Sequence, residues 1–86
     1  MIALKGTEVA CGTTSGAAST FGNMGAVRLF NSGTAVRLIT LEKADGTDIG
    51  TISINAKADI VLRKGKSDKI FASSADVKGV GVGFTY

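Results

Sequence analysis

A chain of 86 residues with a formal net charge of +3 and no His, Trp or Pro has material for one hydrophobic core and lacks most of the side chains on which catalysis and metal binding rest. Cys11, the single cysteine, has no intrachain disulfide partner, and a zinc site of any common type would need ligands from several chains. Ten basic residues against seven acidic ones are a mild excess that serves solubility and falls short of a nucleic-acid-binding composition.

These bounds predict a single β domain over residues 1–86, made of a leading segment, 1–25, and a β core, 26–86. A domain of this size buries only about 60% of its unfolded surface, so an isolated monomer is expected to be marginally stable. With disulfide and metal removed from the usual remedies, association with other copies is the expected one. No run reaches membrane-spanning length. Met1-Ile2-Ala3-Leu4-Lys5 leads into Gly and Thr rather than a long apolar core, so no secretory leader is expected.

In chain order, Ala3 to Cys11 reads as a first edge strand. The Gly-, Ala-, Ser- and Thr-rich stretch that follows, punctuated by Gly12, Gly16, Gly22 and Gly25, reads as a pliable arm or long loop. Ser15 to Phe21 has the length for one helical turn, weakened by Gly16 and Thr20. Val27 to Asn31 has strand composition, and Asn31-Ser32-Gly33-Thr34 predicts a tight turn into a hairpin partner over Ala35 to Lys43. Apolar residues on both faces of Val36 to Lys43 mark a strand covered on each side near its middle, central or at an interface. Ala44-Asp45-Gly46-Thr47 is the clearest hairpin signal in the chain. Beyond it Thr51-Ile52-Ser53-Ile54-Asn55 alternates strictly, turning Ile52 and Ile54 to a core and Thr51, Ser53 and Asn55 to water. Further strands are expected over Ile60 to Leu62 and Asp68 to Ala72, joined by a hairpin turn at Arg63 to Ser67. In the closing run Val80, Val82, Phe84 and Tyr86 share one face, and Gly79, Gly81 and Gly83 the other. Glycine weakens a strand, so three in register mean that something packs directly on that backbone, that the strand bends strongly, or that a chain terminus tolerates poor strand formers. The sum is an all-β fold, a small antiparallel β-sandwich or barrel of about six to seven short strands with a Gly/Ala/Ser/Thr-rich N-terminal arm.

Motifs for chemistry fail on inspection. Gly65-Lys66-Ser67 resembles the end of a phosphate loop, but Ile60 stands where the motif needs its first Gly, and no helix pattern follows. Asp45-Gly46-Thr47-Asp48 lacks the spaced oxygens and terminal Glu of a calcium loop. Serine nucleophiles and Cys11 have no His base. An enzyme is therefore not expected, nor any cofactor. What remains are candidate interaction residues: the basic turn with Arg63, Lys64, Lys66 and Lys69, and the glycine row Gly79, Gly81 and Gly83. Asp68 dilutes the basic turn and no aromatics interleave it to stack on bases, so nucleic acid is not an expected partner.

Val27-Arg28-Leu29-Phe30-Asn31-Ser32-Gly33-Thr34, then Arg37-Leu38-Ile39-Thr40-Leu41, then Asp68-Lys69-Ile70-Phe71-Ala72-Ser73 and Val77-Lys78-Gly79-Val80-Gly81-Val82-Gly83-Phe84-Thr85-Tyr86 together resemble small virion structural proteins of tailed bacteriophages, especially those infecting marine cyanobacteria. The resemblance spans residues 27–86, is one of style and spacing, and carries no catalytic signature. It implies a β-sandwich or barrel, assembled in the host cytoplasm and resident in the virion, that decorates or cements the capsid or sits at the neck or tail. The implied partners are the major capsid protein or other virion proteins, together with further copies of the chain. Binding is expected through sheet edges, the basic turn and the N-terminal arm, whose removal over residues 1–20 is expected to abolish docking without unfolding residues 27–86. A head-to-tail connector or tail component is the nearest alternative. A carbohydrate- or host-binding module is a more distant one, because it needs exposed aromatics.

Overall fold

The computed structural model describes residues 3–83 as eight strands and one short 3-10 turn. Strands β1 (Ala3–Leu4), β2 (Val9–Ala10), β3 (Ala26–Asn31), β6 (Asp59–Arg63) and β8 (Val77–Gly83) form one sheet. Strands β4 (Arg37–Glu42), β5 (Asp48–Ile54) and β7 (Lys69–Ala72) form the other, in the order β5-β4-β7. Every strand pairing is antiparallel. The two sheets enclose a core of Cys11, Phe21, Val27, Leu29, Ile39, Ile54, Ile70, Ala72 and Val77, so the all-β sandwich expected from the sequence is the fold. Phe84 and Tyr86, expected to share a face with Val80 and Val82, lie outside the described residues.

β8 is the spine of the larger sheet. One of its edges pairs with β3 along its length, from Val27 opposite Gly81 to Asn31 opposite Val77. Its other edge takes β2 at Gly79 and Lys78 and β1 at Gly83 and Val82. The single edge strand expected over Ala3 to Cys11 is thus two short ones, because Gly6, at φ 156°, interrupts the pairing between them.

Two connections differ from the expected hairpins. β3 and β4 lie in different sheets, because the buried Asn31 side chain bends the chain away. Its Nδ2 donates to the carbonyls of Ala35 at 2.8 Å and Ile54 at 3.1 Å, while its Oδ1 accepts from the Gly33 N–H at 3.0 Å. An Asn side chain that satisfies the loop backbone in this way replaces the ladder a hairpin would need. β6 and β7 are also in different sheets, so Arg63 to Ser67 is a crossing between layers. The Asp-Gly hairpin between β4 and β5 forms as expected, but only Gly46 takes a positive φ, 92°. That pattern, with Gly46 N–H donating to the Lys43 carbonyl at 2.9 Å and Lys43 N–H to the Thr47 carbonyl at 2.8 Å, belongs to a three-residue loop closed by a glycine bulge.

The segment read as a pliable arm is fastened throughout. Cys11 N–H donates to the Val77 carbonyl at 2.8 Å, and Ala72 N–H donates to the Gly12 carbonyl at 3.0 Å. Ser15–Ala17 makes the 3-10 turn, and Ser19 bridges to Ile70 along the outer edge of β7. Residues 9–21 are therefore a strap from the larger sheet to the smaller that closes the β7/β8 side of the sandwich. They supply Cys11 and Phe21 to the core, and removing residues 1–20 takes away Cys11, β1, β2 and the Ser19 bridge, part of the fold rather than an independent docking arm.

Phe21 shows why the glycines are in β8. It sits at φ 51° in a left-handed run with Gly22 (76°) and Asn23 (58°), a conformation that costs a bulky residue on the order of 1–3 kcal/mol. The turn aims the ring inward, where a Cβ on Gly79 would lie 2.7 Å from Phe21 Cε1 and one on Gly81 2.8 Å from the Phe21 carbonyl oxygen and 2.6 Å from Met24 Cγ. The expectation that something packs on this backbone is met from within the chain. Replacing Phe21 by Ala is expected to cost about 3–5 kcal/mol in urea unfolding. Gly79→Ala should be destabilising in the natural chain and much less so in the Phe21→Ala background, a double-mutant coupling that reads the ring-on-glycine contact directly.

Cys11 is buried beside the strap, and burial pushes its thiol up to about 11 from an ordinary 9.0, against a smaller opposing pull from Lys78. The unfolded chain then ionises this thiol first. Stability from this group is fully present below pH 9.0 and is lost as pH rises toward 11. Denaturation midpoints measured across that range are expected to fall more steeply for the natural chain than for Cys11→Ala.

Candidate interaction surface

The two sides of the sandwich are finished differently. On the side away from the strap both sheets end, among the described residues, in strands with no partner on their outer edge, β5 in the smaller and β6 in the larger. Between them lies an apolar cleft of about 180 Å³ lined by Ile39, Leu41, Gly50, Thr51, Ile52 and Leu62. Ile52 pairs with the buried Ile39 and shares its inward face, yet it is 45% exposed because no further strand covers it. Ile54, the other residue expected to face the core, is fully enclosed. Ile49, Leu38, Val36 and Val61 add exposed apolar surface on or near these edges. The period-two pattern identified β5 and its inward face. It could not show that β5 is an edge, since strand order is set by tertiary pairing; the absence of Lys, Arg and Pro from Asp48 to Ile54 was the available signal.

The sequence-expected interaction residues are scattered in use. In the turn after β6, Lys64 Nζ donates to the carbonyls of Gly65 at 3.2 Å and Lys66 at 3.1 Å, and partial burial holds its pKa below the ordinary value against the opposing charge of Asp68. Asp68 accepts from the Gly65 N–H at 2.9 Å, so the turn is tied within itself. Lys69 leans toward Glu42, its Nζ 3.8 Å from Oε1. Arg63 and Lys66 remain on the exposed surface. Of the glycine row, Gly79 and Gly81 lie under Phe21 and Met24 and offer nothing to a partner, while Gly83 pairs with Ala3 in the sheet.

Glu42 is the one fully enclosed acidic residue among those described. It lies at the end of β4, covered by the 3-10 turn, whose Ser15 hydroxyl is 2.9 and 3.1 Å from its two carboxylate oxygens. This is a fastening for the strap: it contributes a charge-assisted hydrogen bond, and it leaves no room for a substrate at the carboxylate. Among the described residues no group of three or more Cys, Asp or Glu is placed to hold a metal ion. Elsewhere the larger sheet's outer face carries Arg28, ion-paired to Glu8 at 3.3 Å and Asp59 at 3.2 Å and lying over the Phe30 ring. At the β4–β5 turn the Thr47 N–H, 2.9 Å from Asp45 Oδ1, and then the Thr47 hydroxyl hold the Asp45 carboxyl below its ordinary pKa. This is turn chemistry.

Compared with known protein families, with curated proteins and with solved structures, the chain matches none.

Removing the hydroxyl in Ser15→Ala leaves the enclosed carboxylate with Lys69 alone. It is expected to lower stability by about 1–3 kcal/mol in chemical denaturation and to increase hydrogen exchange at Ala17 and Ala18, whose N–H groups bond within the turn.

Proposed function

We propose that the protein is a structural component of a tailed-phage virion, of the capsid decoration or cement type, joined to its neighbours through the open β5/β6 side. One observation carries the reading: the strap runs along the β7 edge on one side of the sandwich, and on the other, among the described residues, two strand edges without a partner flank an apolar cleft. Free-standing β proteins blunt their edges with charge, proline, bulges or a covering segment. Here charge and a bulge are confined to the ends of β5 and β6, and the middle of the β5 edge is suited to adding a neighbour by strand pairing, in which main-chain hydrogen bonds give affinity and side-chain pockets give register. The style of residues 27–86 supports the particle setting. Docking falls to the open edges and the exposed Arg63 and Lys66 beside them, since residues 9–21 are engaged within the fold. Partners of this kind are the major capsid protein and further copies of the chain. A sugar-binding module would need exposed rings, and Phe21 is buried while Phe30 and Phe71 are half-buried.

Quantitative mass spectrometry of purified particles, with the major capsid protein as reference, tests the proposal. A ratio near parity is the expected result. A ratio matching one small ring would move the protein to the neck or tail, and absence from the particle would overturn the virion reading.

A further inference from the structure

We infer that β5 is the interface of a two-fold dimer, in which β5 of one copy pairs antiparallel with β5 of a second about an axis through Thr51. This rests on the assembly reading above and names the first neighbour. Of the seven residues of β5, only Asp48, at its start, is charged. A bulge at Ile49 separates Asp48 from the rest of the strand, and the regular run Gly50-Thr51-Ile52-Ser53-Ile54 beyond it carries no charge and no proline.

The register follows from two features of the inward face. Ile52 is inward yet 45% exposed, and Gly50, inward opposite Leu41, leaves open space, since a Cβ built on it meets nothing within 4 Å. Antiparallel pairing centred on Thr51 sets Gly50 of each copy opposite Ile52 of the other. Paired residues share a face, so each isoleucine fills the space over the other copy's glycine and extends the cover over the cleft at Ile39, Leu41 and Leu62. Moving the axis to Gly50 would set the two copies' Gly50 opposite each other, leaving the space over both unfilled, and would carry Ile52 past the bulge at Ile49. Moving it to Ile52 would set Gly50 against Ile54, whose side chain is already enclosed in its own core. A slip of one residue would set inward positions against outward ones.

Charge agrees with the same register. The β4–β5 end of the strand bears Asp45 and Asp48 against Lys43, and the β5–β6 end bears Lys57, whose Nζ donates to the Ser32 carbonyl, followed by Asp59, which is paired with Arg28. Antiparallel pairing lays the acidic end of each copy beside the basic end of the other, twice by symmetry. The two smaller sheets then become one continuous sheet, leaving β6 and Lys66 of both copies for the shell.

Sedimentation or light scattering on the full chain at about 100 µM is expected to give twice the chain mass. Ile52→Lys, a charged edge substitution at a half-exposed site, is expected to raise the dimer dissociation constant at least about tenfold with an unchanged circular dichroism spectrum. A second variant guards against a folding artefact: Thr51→Cys should cross-link to itself on mild oxidation, while Val61→Cys on the β6 edge should not, Cys11 being buried. A monomeric natural chain, a persistent Ile52→Lys dimer or equal cross-linking at the two positions would overturn the inference. A monomer still found in particles would overturn the dimer alone, and a dimer absent from particles would overturn the virion reading alone.

Discussion

The packing of the Phe21 turn on β8, its ring on Gly79 and its carbonyl with the Met24 side chain on Gly81, is the contact from which much of this molecule follows. It requires a strand with no side chains on its inner face at those two positions, and β8 supplies that strand. It also requires a bulky residue held at positive φ, and Gly22, Asn23 and the hydroxyls of Ser19 and Thr20 supply the turn that holds it, through the Phe21 and Asn23 N–H groups. In exchange the strap gains an anchor inside the core. Without that ring the glycines would be a weak row in the middle of a sheet, and residues 9–21 would be secured only by Cys11, the Ser15–Glu42 hydrogen bonds and backbone bonds along the strand edges. Burial of one aromatic side chain offsets both the strained backbone and the poor strand propensity of the glycines.

The second organising group is Asn31. A fully buried amide is tolerated only when its hydrogen bonds are made, and this one binds the β3–β4 loop at Ala35 and Gly33 and the end of β5 at Ile54. It therefore sends the chain across to the other sheet and fixes where β5 ends. Phe21 seals one side and Asn31 positions the strands on the other, and the asymmetry between a covered and a bare side arises from these two residues. The apolar character of the bare side follows from placing an alternating strand, Ile52 and Ile54 inward, at an edge where only Ile54 is reached by the core.

Strand composition, the Asp-Gly hairpin and the inward face of β5 were legible in the sequence because each depends on residues within a few positions of one another. The glycine row was legible as an anomaly for which packing on the backbone was one of three readings, beside a strong bend and tolerance at a chain terminus, and the structure selects packing at Gly79 and Gly81. Which residue would pack there was not, because Phe21 lies in a segment whose composition reads as loop. Asn31 read as a turn residue, which it is; that its amide would carry the chain into the other sheet depends on Ala35 and Ile54, partners fixed only in three dimensions. The basic turn looked like one surface in sequence and is several in space, with Lys64 folded onto its own loop and Lys69 turned to Glu42. Glu42 carried no sequence signal as a buried group, since its cover comes from Ser15, twenty-seven positions away.

The central place of β8 bears on how the fold is reached. Among the described strands only β4 and β5 pair with a neighbour close in sequence; β8 must gather β1, β2 and β3 from the far end of the chain. Loop closure over such spans is entropically unfavourable before the contacts that reward it exist, so folding is slow for topologies of this kind. Until residues 77–83 are in place Phe21 has no surface to rest on, and the uncharged β5 edge sits beside an unfinished core. The edge suited to pairing in the finished protein is, during that interval, the segment most open to pairing with the wrong strand.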